Sequence, residues 1–124
     1  MAVPILKQGP FLIATIQSAL TDTDVLQLQD DVMAQVTRHR SRGIIVDVTA
    51  LDVMDSFVSR SLQGIARMTR LRGATTVIVG IQPEVAFAMV QLGMAFEDVL
   101  TALDLEEGLA LLTGPRKEAV DGGG

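Results

Sequence analysis

Cysteine, tryptophan and tyrosine are absent from this chain of 124 residues, whose only aromatic side chains are four phenylalanines. Without cysteine, the chain has no disulfide framework, no thiolate metal site and no cysteine nucleophile. The shortage of aromatic rings argues against a stacking platform for single-stranded nucleic acids. Basic residues are also in the minority: 15 acids against 10 lysines and arginines give a net charge of −5. A surface that neutralises phosphates needs the opposite balance, so nucleic-acid binding is not expected.

Long apolar runs and catalytic motifs are missing as well. The stretch 85–96 is the longest apolar segment without charge after Glu84, and it is too short for a membrane-spanning helix, which needs about 20 residues. The N-terminus lacks the basic start and apolar core of a signal peptide, so we expect a cytoplasmic protein. The single histidine, His39, lies in a basic cluster and favours a solvated cation over a metal ligand. No phosphate-binding glycine loop and no GxSxG motif occurs, so we predict no catalytic residue, no metal and no cofactor.

The remaining composition is typical of one folded domain. Hydrophobic residues make up 48% of the chain, and the mean hydropathy is +0.39. A mass of 13.2 kDa suits a single core. We place that domain at residues 1–113. The last residues, 114–124, are rich in glycine and charge, so we predict a flexible C-terminal tail.

Apolar runs and helical periodicities alternate along the domain. Helices between strands favour parallel neighbours, and the two short runs around Gly9-Pro10 suggest an antiparallel hairpin. The predicted fold is therefore α/β, with a small, mixed, mostly parallel sheet and four helices. The predicted strands are 3–6, 11–16, 43–49, 75–81 and 96–100, and the predicted helices are 24–38, 56–71, 84–92 and 105–112.

Several residues are expected to begin or end these helices. Thr21 or Thr23 can cap the first helix, and Gly43 is predicted to end it. Pro83 suits the first position of the third helix. Asp104 precedes the fourth helix and has Glu107 at the spacing of a capping box.

The residues with the most chemical potential are grouped in the segment VDVTALDVMDSF. Asp47 is near the end of a buried strand, Asp52 and Asp55 follow in a loop, and Ser56 begins the next helix. In open α/β sheets, functional sites gather at the carboxyl ends of the strands. Local features by themselves favour a purely structural role, because Asp55 or Ser56 can cap the helix and Asp52 can form a turn.

Two functional interpretations compete with capping. Asp47 could accept a phosphoryl group as in a receiver domain, but that site needs further acids to hold Mg²⁺. The preceding strand ends in Ile16-Gln17-Ser18, which supplies no acid, and the downstream lysine is missing. Alternatively, another protein phosphorylates Ser56. A phosphate at the start of a helix is favourable, and it would make the nearby surface much more negative.

Four segments carry a resemblance to a known family: PILK, IVDVTALDVMDSF, GIQPEVAFAMVQLG and TALDLEEGL. They resemble STAS domain proteins of the anti-sigma factor antagonist family, and in particular the scaffold subunits of stressosomes. The resemblance covers about residues 3–113. Ordinary antagonists have a small residue after the phosphorylated serine, whereas this chain has Phe57. The Asp-Ser-Phe triplet and the Gly-Ile-Gln-Pro segment are typical of the scaffold branch.

The resemblance implies a scaffold that is not an enzyme. Such subunits assemble with an RsbR-like STAS co-scaffold and sequester an RsbT-like serine kinase of the GHKL type. The kinase phosphorylates the serine that corresponds to Ser56 and is released, and an RsbX-like phosphatase resets the subunit. By the same resemblance, Asp52, Asp55 and Phe57 flank the phosphorylation site.

Three alternatives stay open at this point. The chain could be a stand-alone anti-sigma factor antagonist that binds an anti-sigma kinase directly. It could be a small nucleotide-binding STAS module, although it lacks a phosphate loop. It could also be a weak hydrolase that uses the aspartate cluster.

Charge and hydropathy also suggest surfaces for homo- and hetero-oligomers. Residues 38–72 contain seven bases and three acids, whereas 73–115 contain six acids and no base. Unlike surfaces of neighbouring subunits could therefore attract each other. The third helix is apolar nearly all round, so one of its faces must lie outside a small core. Its interface candidates are Val85, Phe87, Met89 and Val90.

Overall fold

Five strands form one sheet in the computed structural model, which describes residues 3–93, 96 and 99–114. The strands are β1 (Ile5–Gln8), β2 (Phe11–Thr15), β3 (Gly43–Asp47), β4 (Thr75–Val79) and β5 (Leu100–Ala102). The helices are α1 (Asp22–His39), α2 (Ser56–Leu71), α3 (Pro83–Gln91) and α4 (Leu105–Thr113). The α/β class, the hairpin and the four helices are therefore confirmed.

The strands lie side by side in the order in which they occur in the chain. β1 is antiparallel to β2, and β2 to β5 are parallel. The parallel strands begin at one end of the sheet, where Phe11, Gly43 and Thr75 are aligned. Their carboxyl ends therefore meet at the opposite end, and helices α1, α2 and α4 run back from there.

Both faces of the sheet carry apolar side chains, which explains why β3 and β4 read as continuous apolar runs. On one face, Leu12, Ile44 and Ile78 belong to the larger core cluster, to which α1, α2 and α3 contribute. On the other face, Ile45 and Val77 belong to a smaller cluster. The side chains of α4 that complete the smaller cluster are Leu105, Leu109, Leu111 and Leu112.

The end of α1 differs from the prediction. Thr21, one of the two predicted candidates, is the N-cap. The C-cap is Arg40, whose backbone is left-handed with a φ of 50°. Gly43 does not end the helix; it is the first residue of β3. A side chain at Gly43 would meet the Leu112 methyl groups of α4 at 2.8 and 2.9 Å. Close packing between α4 and β3, and not helix capping, explains the glycine.

The edge strand was also misplaced. β5 pairs with β4 through Leu100, Thr101 and Ala102, whereas the sequence suggested 96–100. Pro83 occupies the first turn of α3, as expected. Asp104 caps α4, but the Glu107 carboxylate accepts from the N–H of Leu103 (2.6 Å), one residue earlier than a capping box requires. Of the predicted tail, all residues after Gly114 lie outside the described residues.

Candidate functional site

Ser56 is the first residue of α2, and its side chain is exposed. The residue before it, Asp55, has an extended backbone and caps the helix. Its carboxylate accepts a hydrogen bond from the N–H of Val58 at 2.8 Å. The structure thereby decides between the two capping candidates: Asp55 stabilises the helix start, and the Ser56 hydroxyl is left available.

The loop that leads to Ser56 is anchored by apolar side chains spaced three residues apart. Leu51 and Met54 are buried in the larger core cluster, and half-buried Phe57 packs against the same cluster. Asp52, between the two anchors, is exposed. The predicted flanking residues therefore divide into two groups: Asp52 and Asp55 give the surface around Ser56 its negative charge, while Phe57 holds the start of α2 on the core.

A set of polar contacts holds this loop against the neighbouring strand exit. The Asp47 carboxylate accepts hydrogen bonds from the backbone N–H and the hydroxyl of Thr49, at 2.9 and 2.6 Å. The Gln82 side-chain amide donates to the Thr49 carbonyl at 2.7 Å. Because Gln82 follows β4 and Thr49 follows β3, these bonds connect the two strand exits. We refer to Asp47, Thr49, Gly80 and Gln82 as the strand-exit brace.

Gly80 completes the strand-exit brace because only glycine fits there. Its φ is +81°, and a Cβ would collide with the Thr49 hydroxyl and lie 3.2 Å from the Thr49 Cα. The Gly-Ile-Gln-Pro segment was recognisable in the sequence as a family feature, but the roles of Gly80, Thr49 and Gln82 were not predicted. The available signal for such a contact was a glycine and an amide, Gly80 and Gln82, directly after a buried strand. Their partner, Thr49, could not be identified, because it lies about 30 residues away in the chain.

The receiver-domain interpretation of Asp47 does not fit this geometry. Its carboxylate is engaged by Thr49, and Asp55 by the backbone of α2. Within residues 3–93, 96 and 99–114, no group of three histidine, cysteine, aspartate or glutamate side chains is placed to hold a metal ion. The predicted acids of the segment are near one another in sequence but do not converge on one ligand.

The other serines at the start of α2 are less accessible than Ser56. Ser59 is 3% exposed, and its hydroxyl has no hydrogen-bond partner among the described residues. Ser61 is half-buried. Accessibility alone therefore distinguishes Ser56 from its neighbours as a substrate for another protein.

The interface candidates on α3 divide into two pairs. Val85 and Met89 are 4% and 5% exposed and belong to the larger core cluster, so they do not form an accessible surface. Phe87 and Val90 are 65% and 76% exposed. The prediction was therefore wrong for Val85 and Met89, whose spacing of four residues places both on the inner face. For Phe87 and Val90 an interface remains a prediction.

Within the described part of the chain, no helix combines the length and the apolar character required to cross a bilayer.

Comparison with known proteins assigns the family. The STAS domain family profile matches residues 2–108. A serine-to-glutamate variant of RsbS from Moorella thermoacetica has a TM-score of 0.80 and 33% identity, over 93% of this chain and 97% of that chain. A chain from the molecular architecture of the stressosome, a signal integration and transduction hub, has a TM-score of 0.72 and 34% identity. That match covers 88% of this chain and 95% of the other.

Among curated sequences, the RsbT co-antagonist protein RsbRA of Bacillus subtilis is 30% identical over 83 residues. The match covers 67% of this chain but only 30% of RsbRA, so the chain spans less than a third of that relative. The family profile, the five-stranded sheet and these similarities agree with one another. The chain belongs to the STAS domain family, and within it is similar to stressosome proteins of the RsbS and RsbR types.

Proposed function

We propose that this chain is an RsbS-type scaffold subunit of a stressosome-type complex, which sequesters an RsbT-like serine kinase until Ser56 is phosphorylated. The similarity to RsbS extends over nearly all of both chains. RsbRA is by name a co-antagonist of RsbT, so an RsbR-like protein is the natural co-scaffold. An RsbX-like phosphatase would return the subunit to its unphosphorylated form.

The observation that carries this proposal is the exposed Ser56 hydroxyl beside a cap supplied by Asp55. A kinase can modify that hydroxyl without removing a contact that stabilises α2. A phosphate adds about −1.5 to −2 charges at neutral pH. The N-terminus of α2 favours it, whereas Asp52 and Asp55 repel it. Phosphorylation is therefore expected to change the charge of the binding surface and to leave the fold intact.

The same geometry favours a protein that is a substrate and not an enzyme. The only histidine, His39, ends α1 at the end of the sheet where the parallel strands begin. Ser56 lies at the opposite end, after β3. No histidine can therefore act as the general base for Ser56, and the Asp55 carboxylate is occupied by the helix cap.

Phosphorylation tests the residue assignment directly. The chain is incubated with a purified RsbT-like kinase and ATP, and the phosphate is located by mass spectrometry. We expect a single phosphate on Ser56, none on Ser56→Ala, and normal modification of the matched control Ser61→Ala. Ser56→Ala should also retain the kinase in a pull-down after ATP is added. A phosphate mainly on Ser59 or Ser61, with Ser56→Ala still a full substrate, would refute the assignment.

Particle size tests the scaffold role. Mixed with an RsbR-like partner, the chain should elute from a sizing column as a megadalton-scale particle that retains the kinase. A stand-alone anti-sigma factor antagonist would instead form a small complex with its kinase and no large particle. The small complex alone, with Ser56 still phosphorylated, would assign the chain to that alternative.

A further inference from the structure

The two ends of the sheet carry opposite charge. The end where the parallel strands begin, here called the basic end, carries exposed lysine and arginine side chains. They are Lys7, Arg38, Arg40, Arg42, Arg70 and Arg72. Among the described residues, every acid except Asp30 and Asp31 lies at the opposite end, here called the acidic end. Helix dipoles favour acids at helix starts and bases at helix ends. Because α1, α2 and α4 all begin at the acidic end, these preferences place acids at one end of the domain and bases at the other.

The basic end also holds a cavity with a volume of about 620 Å³. It lies where the strands begin and α4 ends. Its lining is mainly apolar and includes one charged side chain, Arg42. The apolar side chains of the lining are Pro10, Phe11, Leu100, Leu111 and Leu112. A partner for this cavity should therefore present an apolar side chain with negative charge beside it.

The acidic end presents such a feature. Leu103, between β5 and α4, is 82% exposed. Its backbone N–H donates to the Glu107 carboxylate at 2.6 Å, which fixes its position at the start of α4. Asp104 and Glu106 are exposed beside it, and they carry negative charge. An apolar side chain surrounded by carboxylates at one end thus matches an apolar cavity with an arginine at the other.

We propose that a second copy of this chain docks head to tail, with Leu103 of one copy in the basic-end cavity of the next. Glu106 and its acidic neighbours would then face Arg42. Such a contact is heterologous, because it uses two different surfaces and leaves one of each unpaired. Ser56 begins α2, which packs on the opposite face of the sheet from α4, so it lies to the side of this contact. The contact needs neither the kinase nor phosphorylation, and its test is independent of the proposed function.

The first experiment measures association of the purified chain by sedimentation velocity at low ionic strength. The wild-type chain should increase in mass with concentration, and added salt should reduce that increase. Leu103→Ser and Arg42→Glu should each weaken association by about tenfold or more, since each removes a central contact. Two matched controls, Val53→Ser and Arg60→Glu, change exposed side chains outside the contact and should associate like the wild type.

The decisive experiment mixes the two defective variants. Arg42→Glu keeps an intact Leu103, and Leu103→Ser keeps an intact cavity, so one good contact remains between them. The mixture should form a dimer and stop there, whereas each variant alone stays monomeric with an unchanged circular dichroism spectrum. A wild-type chain that stays monomeric, a mixture that does not dimerise, or controls that dissociate equally would each overturn the proposal.

Discussion

The two ends of the sheet are held together in different ways. At the carboxyl ends of β3 and β4, side chains make the connection, through Asp47, Thr49 and Gln82. At the amino ends, backbone bonds join the strand starts to neighbouring segments, such as that from the Arg42 N–H to the Pro10 carbonyl at 2.8 Å. One buried side-chain bond, between the Thr69 and Thr76 hydroxyls at 2.8 Å, ties α2 to the start of β4. Side-chain hydrogen bonds therefore connect the exits of β3 and β4, whereas the side chains packed against the start of β3, Leu112 and Phe11, are apolar and can adjust.

Each end contains one glycine that tests this difference. Gly80 faces Thr49, whose hydroxyl is already bound to Asp47 and whose backbone cannot move away. Gly43 faces the terminal methyl groups of Leu112, which can change rotamer. The same substitution should therefore cost more at the carboxyl end than at the amino end.

The largest effect is expected for Gly80→Ala. Its backbone has a φ of +81°, which strains any residue with a Cβ, and the new methyl group would collide with Thr49. Strain and overpacking together should lower the free energy of unfolding by about 3 kcal/mol. Urea denaturation followed by circular dichroism measures the loss. A decrease below about 1 kcal/mol would show that the strand-exit brace adjusts as readily as the packing around Gly43.

A smaller loss is expected for Gly43→Ala. The added methyl group meets flexible Leu112 and, at 3.2 Å, the ring of Phe11. Both can shift, because they line the basic-end cavity. We expect a loss of about 1–2 kcal/mol in the same denaturation experiment. A loss equal to that of Gly80→Ala would mean that the two ends are equally rigid.

Helix starts provide the next test at the carboxyl end. Asp55→Ala removes the bond to the Val58 N–H and should cost about 1 kcal/mol of unfolding free energy. Ser56→Ala, one residue later, should change it by no more than a few tenths, since Asp55 still caps α2. Thermal unfolding of both variants measures the difference. Equal losses would show that the Ser56 hydroxyl has a structural role, and would weaken its assignment as a free phosphorylation site.

The order of elements could be predicted because each has a local signal in the sequence. Periodicity placed α1 and α2, and continuous apolar runs placed β3 and β4, whose two buried faces need no alternation. The segment around Ser56 was also identified locally, from a strand end followed by a helix start. These features depend on residues close together in the chain.

What could not be predicted depends on contacts between distant segments. The end of α1 was predicted at Gly43, but Arg40 adopts the left-handed conformation there. Gly43 instead allows β3 to pack closely against Leu112 of α4. α3 is apolar nearly all round, so periodicity could not show that Val85 and Met89 face the core. Within the strand-exit brace, the bond between Gln82 and Thr49 joins residues that are 33 positions apart in the chain.

The smallest expected effect concerns Ser59, one turn below the surface that carries Ser56. Its hydroxyl is buried and has no hydrogen-bond partner among the described residues, so it has lost water without gaining a bond. Alanine removes that unsatisfied group and has a higher helix propensity. Ser59→Ala should therefore raise the unfolding free energy by about 0.5–1 kcal/mol in urea denaturation, whereas Ser56→Ala should not. The same variant should still be phosphorylated on Ser56. A clear loss of stability would show instead that the Ser59 hydroxyl makes a stabilising hydrogen bond in solution. The two serines would then not differ in the way that the structure indicates.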